Sequence, residues 1–168
     1  MTNQPDLASA LTQAPIICPD KQVLKEWIDY NGHMNMAYYH VVFDQTLDFA
    51  FDALGIGADY VTSDQCSMFS REVHVNYLAE ASLGQRLKVT WQLLDWDRKR
   101  LHFFQHMRDA SNETLLATSE QLAMHVDMNS RRTAPFPESI QQRIAAVGER
   151  HSALAAPSEA GRSIGIRR

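Results

Sequence analysis

Between positions 36 and 54 the chain carries a long stretch of helical periodicity. With residues set at steps of about 100°, His40, Asp44, Gln45, Asp48 and Asp52 gather on one arc. Tyr38, Tyr39, Val42, Phe43, Thr46, Phe49, Ala50, Ala53 and Leu54 fill the wider arc opposite. The pattern predicts a helix over Met36–Leu54 that is buried around most of its circumference. Asn35 or Asn31 suits its start, because a short amide side chain can accept from an unpaired first-turn N–H, and Gly55 suits its end.

Downstream the period changes. Ser67–Leu78, Arg86–Trp96, Leu101–Arg108 and Leu115–Met128 are rich in Val, Thr, Leu or aromatic residues and read as strands. The turn-like Asp95-Trp96-Asp97-Arg98 and Asp109-Ala110-Ser111-Asn112 join the later ones as antiparallel hairpins. Lys21–Trp27 is expected to add a short strand before the helix, and a short helix from Pro137 to about Arg150 to close the folded part. Residues 1–18, polar and Pro-containing, are expected to form a flexible N-terminal arm. Residues 151–168, which end in Arg162, Arg167 and Arg168, are expected to form a mobile basic tail. That leaves 19–150 as one α+β domain, a long helix wrapped by an antiparallel sheet of about five strands.

Composition narrows the function classes. At 168 residues, with 45% apolar and 21% charged, the chain can bury a single core without disulfides or structural metal. A formal net charge of -4 gives no general attraction to nucleic acid or an anionic membrane, so any polyanionic ligand must be met by local cations. Cys18 and Cys66 stand in unrelated segments, which suggests neither a disulfide framework nor a zinc knuckle and fits a reducing, cytoplasmic setting. No apolar run approaches the roughly 18 residues of a membrane span, and the first twenty residues do not resemble a signal peptide. His102 and His106 have a zinc-like spacing only if helical, and they fall in a predicted strand without the Glu of H-E-x-x-H. G-x-S-x-G and the phosphate-binding loop G-x-x-x-x-G-K-[ST] do not occur.

The chemistry concentrates in Trp27-Ile28-Asp29-Tyr30-Asn31-Gly32-His33-Met34-Asn35, just before the long helix. Cleaving an activated acyl group needs a base or nucleophile on one side of the carbonyl and donors for the oxygen that becomes negative. A loop that enters a helix can supply both, since first-turn N–H groups lack partners and Gly32 opens the backbone to close approach. An ordinary capped turn has the same spelling, so spacing alone leaves both readings standing.

This motif, followed by Tyr38 or Tyr39 and Phe43, resembles the signature of the 4-hydroxybenzoyl-CoA thioesterase group of hotdog-fold proteins. The likeness continues through Arg71-Glu72-Val73-His74-Val75-Asn76-Tyr77-Leu78 and covers about residues 20 to 130. Together with Lys99-Arg100-Leu101-His102 and Met124-His125-Val126-Asp127-Met128, the motif is similar to that of betainyl-CoA thioesterases of carnitine degradation. The resemblance implies a hotdog fold and hydrolysis of a small acyl-CoA without metal or organic cofactor. It also implies a homodimer or homotetramer with its site between subunits. On it, Asp29 is the catalytic carboxylate, as a nucleophile or as the base for water, and the backbone of Gly32, His33, Met34 and Asn35 forms the site, with the last three N–H groups candidates to polarise the carbonyl. Asp44 and Asp48 on the helix are rival acids.

Further substrate contacts are candidates on chemical grounds. Glu72 and His74 share a strand face and could meet a polar ligand group or only solvent. Arg131 and Arg132 could hold coenzyme A phosphates, or form a basic surface turn. A quaternary ammonium favours aromatic faces, for which Trp27 and Tyr30, flanking Asp29, are expected first and Tyr38 next. A hotdog domain that binds acyl-CoA or a quaternary ammonium without turning it over is the alternative. A hydratase is disfavoured, because position 34 is Met where D-x-N-x-x-H has His.

Overall fold

The computed structural model describes residues 6–166, with α1 (Leu7–Ala10), β1 (Ile16–Ile17), β2 (Lys21–Gln22), α2 (Met36–Leu54), α3 (Ala58–Asp64), β3 (Cys66–Tyr77), β4 (Arg86–Trp96), β5 (Arg100–Asp109), β6 (Leu115–Asp127), β7 (Arg132–Thr133) and α4 (Glu138–His151). Helix α2 is the predicted one, residue for residue. The Asn35 side chain accepts from the Ala37 N–H, and Gly55 turns left-handed at φ 75°, a conformation that costs glycine little. Its buried stripe includes Val42, Phe43, Ala50 and Leu54, all without solvent exposure, while His40, Asp44, Gln45, Asp48 and Asp52 face out.

The sheet runs β1-β4-β5-β6-β3, with β2 on β4 and β7 on β6, and each of these pairs is antiparallel. One face lies on α2. Trp91 meets Phe103, and Phe103 meets Phe51 edge-on at 6.0 Å between ring centroids. A buried polar chain crosses the same layer: the Gln105 amide donates to the Phe43 carbonyl at 3.0 Å and to Thr46 Oγ1 at 3.2 Å, and Gln121 donates to Gln105 Oε1. In this dry setting those bonds fix the helix over β5 and β6. At the other end of the strand order, β3 keeps one edge unpaired among the described residues, with Phe69, Val73 and Tyr77 between 37% and 44% exposed.

Three expectations need correction. The N-terminal arm is folded from Asp6 onward: Asp6 caps α1, Ala10 and Ile16 are fully buried, and Ile16 pairs with Trp91. Few as they are, its apolar residues cover the free edge of β4; residues 1–5 lie outside the described residues. The expected mobile basic tail likewise starts inside the fold. His151 is buried, the Gln92 amide donates to the Ala155 carbonyl, and the Gly161 N–H donates to Glu120 Oε2 at 2.7 Å. Ala155 and Gly161 thus lie on the sheet face turned away from α2, where Phe104 and Thr118 are fully buried; Arg167 and Arg168 lie outside the described residues. Finally, of Lys21–Trp27 only Lys21–Gln22 is strand, and Lys25–Trp27 is a single 3-10 turn. The turn swings Trp27 inward.

Candidate active site

The loop before α2 is held by its own backbone. Ile28 and Met34 form an isolated antiparallel bridge, the Asp29 N–H donates to the His33 carbonyl, and the Gly32 N–H donates back to the Asp29 carbonyl. Gly32 sits at φ +86°, with open space where a Cβ would stand. Its backbone conformation favours glycine, and its surface is clear for a ligand.

Asp29 is half-buried. Oδ1 accepts from the Asn31 N–H at 2.8 Å, and Oδ2 has only the Asn35 amide, at 3.4 Å. Asn35 thus serves twice, capping α2 through Oδ1 at 3.0 Å from the Ala37 N–H while Nδ2 leans on the carboxylate. The helix start and the acid are positioned by one side chain.

The structure sorts the candidate backbone donors. The Met34 N–H donates to the Ala81 carbonyl at 2.8 Å and the Asn35 N–H to the Trp27 carbonyl at 2.9 Å, so neither is free for a substrate oxygen. Among the described residues the N–H groups of His33 and Met36 have no protein acceptor. Met36 opens the first turn of α2, where the helix dipole favours developing negative charge.

Beside that turn lies a cleft of about 260 Å3 between the loop and the end of β3, lined by His33, Met36, Tyr39, Tyr77 and Glu80 among others. Tyr39 is locked in place: its hydroxyl accepts from the Ala81 N–H at 2.9 Å and donates to the Ala79 carbonyl at 3.1 Å. Burial raises its pKa above the ordinary phenol value, so it stays neutral. Tyr77 stands edge-on to it at 5.3 Å and donates to the Met36 carbonyl at 3.3 Å, while His33 Nε2 lies 3.5 Å from Glu80 Oε1.

Other candidates fall elsewhere. Trp27 is 8% exposed and stacked on Tyr38 at 5.5 Å as part of the core, and Tyr30 is 97% exposed. The exposed aromatic of the cleft is therefore Tyr77, with Tyr39, only 4% exposed, edge-on to it in the core. Glu72 and His74 do share a strand face, but register pairs them with Leu122 and Glu120 on the side away from α2, where they line a cavity with His102 and Glu120. Arg131 and Arg132 follow β6, next to Cys66 and Lys99, at the far end of the sheet from the loop. At roughly 3.3 Å per residue, β3 alone separates the two ends by about 35 Å. That is farther than a pantetheine arm reaches.

The rival acids stand on the exposed arc of α2. Burial, then repulsion by Asp44 and Asp52, pushes the Asp48 carboxyl above its usual range, with Lys21 of β2 as the opposing cation. Both acids lie in the interior of α2, where among the described residues no unpaired backbone donor accompanies them. His102 bonds Glu120, and no group of three or more potential metal ligands converges among the described residues. Sequence reasoning missed Tyr77, Glu80 and the Met36 N–H as site groups. The Tyr77–Met36 bond joins positions 41 apart, and nothing in either local stretch announces it.

A family model described as the thioesterase-like superfamily matches residues 23–144. Betainyl-CoA thioesterase of Pseudomonas aeruginosa is 39% identical over 144 residues, covering 86% of this chain and 91% of that protein. L-carnitine dehydrogenase/betainyl-CoA thioesterase of Rhizobium meliloti is 38% identical over 154 residues, or 92% of this chain, which spans only 31% of that longer protein. Of solved structures, a Staphylococcus aureus protein in complex with CoA superposes with a TM-score of 0.83 at 31% identity, covering 88% of this chain and 93% of that one. A Pseudomonas putida putative thioesterase superposes with a TM-score of 0.80 at 33% identity, covering 93% and 99%.

Proposed function

This chain belongs to the thioesterase-like superfamily, and from that premise we propose that it hydrolyses a short acyl-CoA, betainyl-CoA first among candidates, to the free acid and coenzyme A. One observation carries the reading: a carboxylate, Asp29, is joined through Oδ2 and the Asn35 amide to the cap of a buried helix whose first N–H is unpaired. The Met36 N–H, with that of His33, receives the carbonyl oxygen as it turns negative. Either Asp29 attacks the carbonyl carbon through an oxygen, the coenzyme A thiolate leaves and water hydrolyses the resulting mixed anhydride, or Asp29 takes a proton from a water that attacks and the thiolate leaves. Neither route calls for a metal or an organic cofactor. The acyl preference rests on the relatives named betainyl-CoA thioesterase.

The functional unit is a homodimer joined through β3, alone or as half of a tetramer. A 12-residue edge strand carrying exposed Phe69, Val73 and Tyr77 is a pairing template, and a two-fold axis near its middle makes the pairing antiparallel. Cys66 of one copy then lies opposite Tyr77 of the other. Arg131 and Arg132 of the partner subunit come to the mouth of the cleft, where coenzyme A phosphates need cations.

The test is release of free thiol from a panel of acyl-CoA esters that includes betainyl-CoA, with Asp29→Ala alongside. Turnover by the wild type and its loss in a folded Asp29→Ala chain are expected. Binding of the esters with no thiol released would replace the enzyme with a binding protein.

A further inference from the structure

We infer that the Tyr39–Tyr77–Glu80 cleft is the part of the site that reads a positive charge on the acyl group; this rests on the thioesterase reading above. A quaternary ammonium offers no N–H, so it can be recognised only by aromatic faces, by a carboxylate and by shape. The cleft beside α2 combines these: the exposed Tyr77 ring with Tyr39 buried edge-on to it, the Glu80 carboxylate and the Met36 side chain around about 260 Å3.

Geometry limits where such a reader can stand. In a betainyl ester one methylene separates the nitrogen from the carbonyl carbon, so the cation must lie next to the oxyanion donors. Tyr77 meets that condition, since its hydroxyl bonds the carbonyl of Met36, the residue whose N–H is unpaired. Both phenols are already bonded to backbone carbonyls, at 3.1 Å for Tyr39 and 3.3 Å for Tyr77. With the Tyr77 hydroxyl so engaged, it is the Tyr77 ring that remains to meet a ligand, and Tyr39 supports it from the core. Glu80, 76% exposed at its side chain, adds long-range attraction at the rim, and His33 beside it sets its direction.

The opposing candidates are poorer. Trp27 is stacked into the core and Tyr30 stands in open solvent, so neither borders the cleft. The cavity under Glu72 and His74 is on the wrong face of the sheet.

The experiment compares kcat/KM for betainyl-CoA with that for 3,3-dimethylbutyryl-CoA, which has the same shape with carbon in place of the charged nitrogen. The wild type is expected to favour the cation. Tyr77→Leu should cut that preference by about two- to thirty-fold, the span of a cation–π contact, whereas Tyr77→Phe, which keeps the ring, should hold it within about two-fold. Glu80→Gln, at an exposed position that cannot endanger the fold, should cut it by about two- to four-fold, as a single charge acting through water would. The inference is overturned if Glu80→Gln, or a folded Tyr77→Leu, leaves the ratio at the wild-type value by slowing both esters alike. Failure of the thioesterase reading itself looks different: the wild type then releases thiol from neither ester.

Discussion

Two turns at opposite ends of the sheet share one spelling. Asp29-Tyr30-Asn31 precedes α2, and Asp127-Met128-Asn129 follows β6. In each, the Asp side chain accepts from the N–H two residues on, at 2.8 Å in the first and 2.7 Å in the second. At the far end the next N–H, that of Ser130, also bonds the Asp127 carboxylate, and together the Ser130 and Asn129 amides hold its pKa below the usual range. At the near end the corresponding residue is Gly32, whose left-handed backbone sends its N–H to the Asp29 carbonyl instead. The diverted donor leaves Asp29 with one amide from its own turn where Asp127 has two. Asp127 Oδ1 is tied to two amides of its own turn, whereas Asp29 takes one turn amide on Oδ1 and its Oδ2 reaches Asn35 Nδ2, on the residue that caps α2.

The sharpest break of this comparison is a pair of isosteric changes. Asp29→Asn should lower kcat by about 10²- to 10⁴-fold, the range for loss of a general base, with the circular dichroism spectrum unchanged. Asp127→Asn should lower the melting temperature and leave kcat within about two-fold of wild type. If the two variants lose activity alike, the distinction between the ends is wrong.

A second measurement asks whether the two ends meet across a dimer. Arg131→Ala with Arg132→Ala should raise KM about ten-fold, equivalent to about 1.4 kcal/mol of lost phosphate contact. Mixing and re-equilibrating that variant with Asp29→Asn should restore low-KM activity, because one site in each mixed dimer then has both intact ends. No recovery on mixing would place the phosphates within one subunit.

Gly32→Ala sharpens the comparison more gently. A Cβ meets no atom there, so the cost comes from φ alone, about 1–2 kcal/mol of stability measured by urea unfolding. Relaxation of the turn toward the Asp127 geometry should lower kcat as well. An unchanged kcat would separate the glycine from the free carboxylate.

The smallest effect concerns the seam that holds the N-terminal segment and α4 to the sheet. His151 Nδ1 accepts from the Leu93 N–H at 2.9 Å while Nε2 donates to the Gln13 carbonyl at 3.1 Å, an arrangement open only to the neutral ring. Burial keeps its pKa below the ordinary value. The unfolded chain therefore takes up the proton more readily, so this stabilisation is complete above about pH 6.5 and drains as pH falls toward the lower folded value. The urea midpoint should drop more on going from about pH 7.5 to 5.5 in wild type than in His151→Gln. Equal drops would assign the acid sensitivity elsewhere.

Periodicity alone placed α2 and the four long strands to within a residue or two, because each buries a face whose spacing is written locally. The N-terminal arm and the tail were misjudged for the converse reason. Their polar composition says little about the few residues, Ala10, Ile16 and His151, that become buried once the sheet provides a surface. Asp29 stood out as a candidate through the resemblance of its motif, not through spacing. Its donors were only partly legible, since the use of Met34 and Asn35 by Ala81 and Trp27 depends on where the end of β3 comes to rest.

What the sequence determined unaided is therefore α2, the four long strands and the closing helix, each set by neighbours along the chain. Only the tertiary structure decided that Trp27 is core, that Tyr77 and Glu80 stand beside the helix start, and that Arg131 and Arg132 lie a sheet-length away. Those facts come from strand order and register, which bring together residues dozens of positions apart and leave no trace in the stretches that contain them.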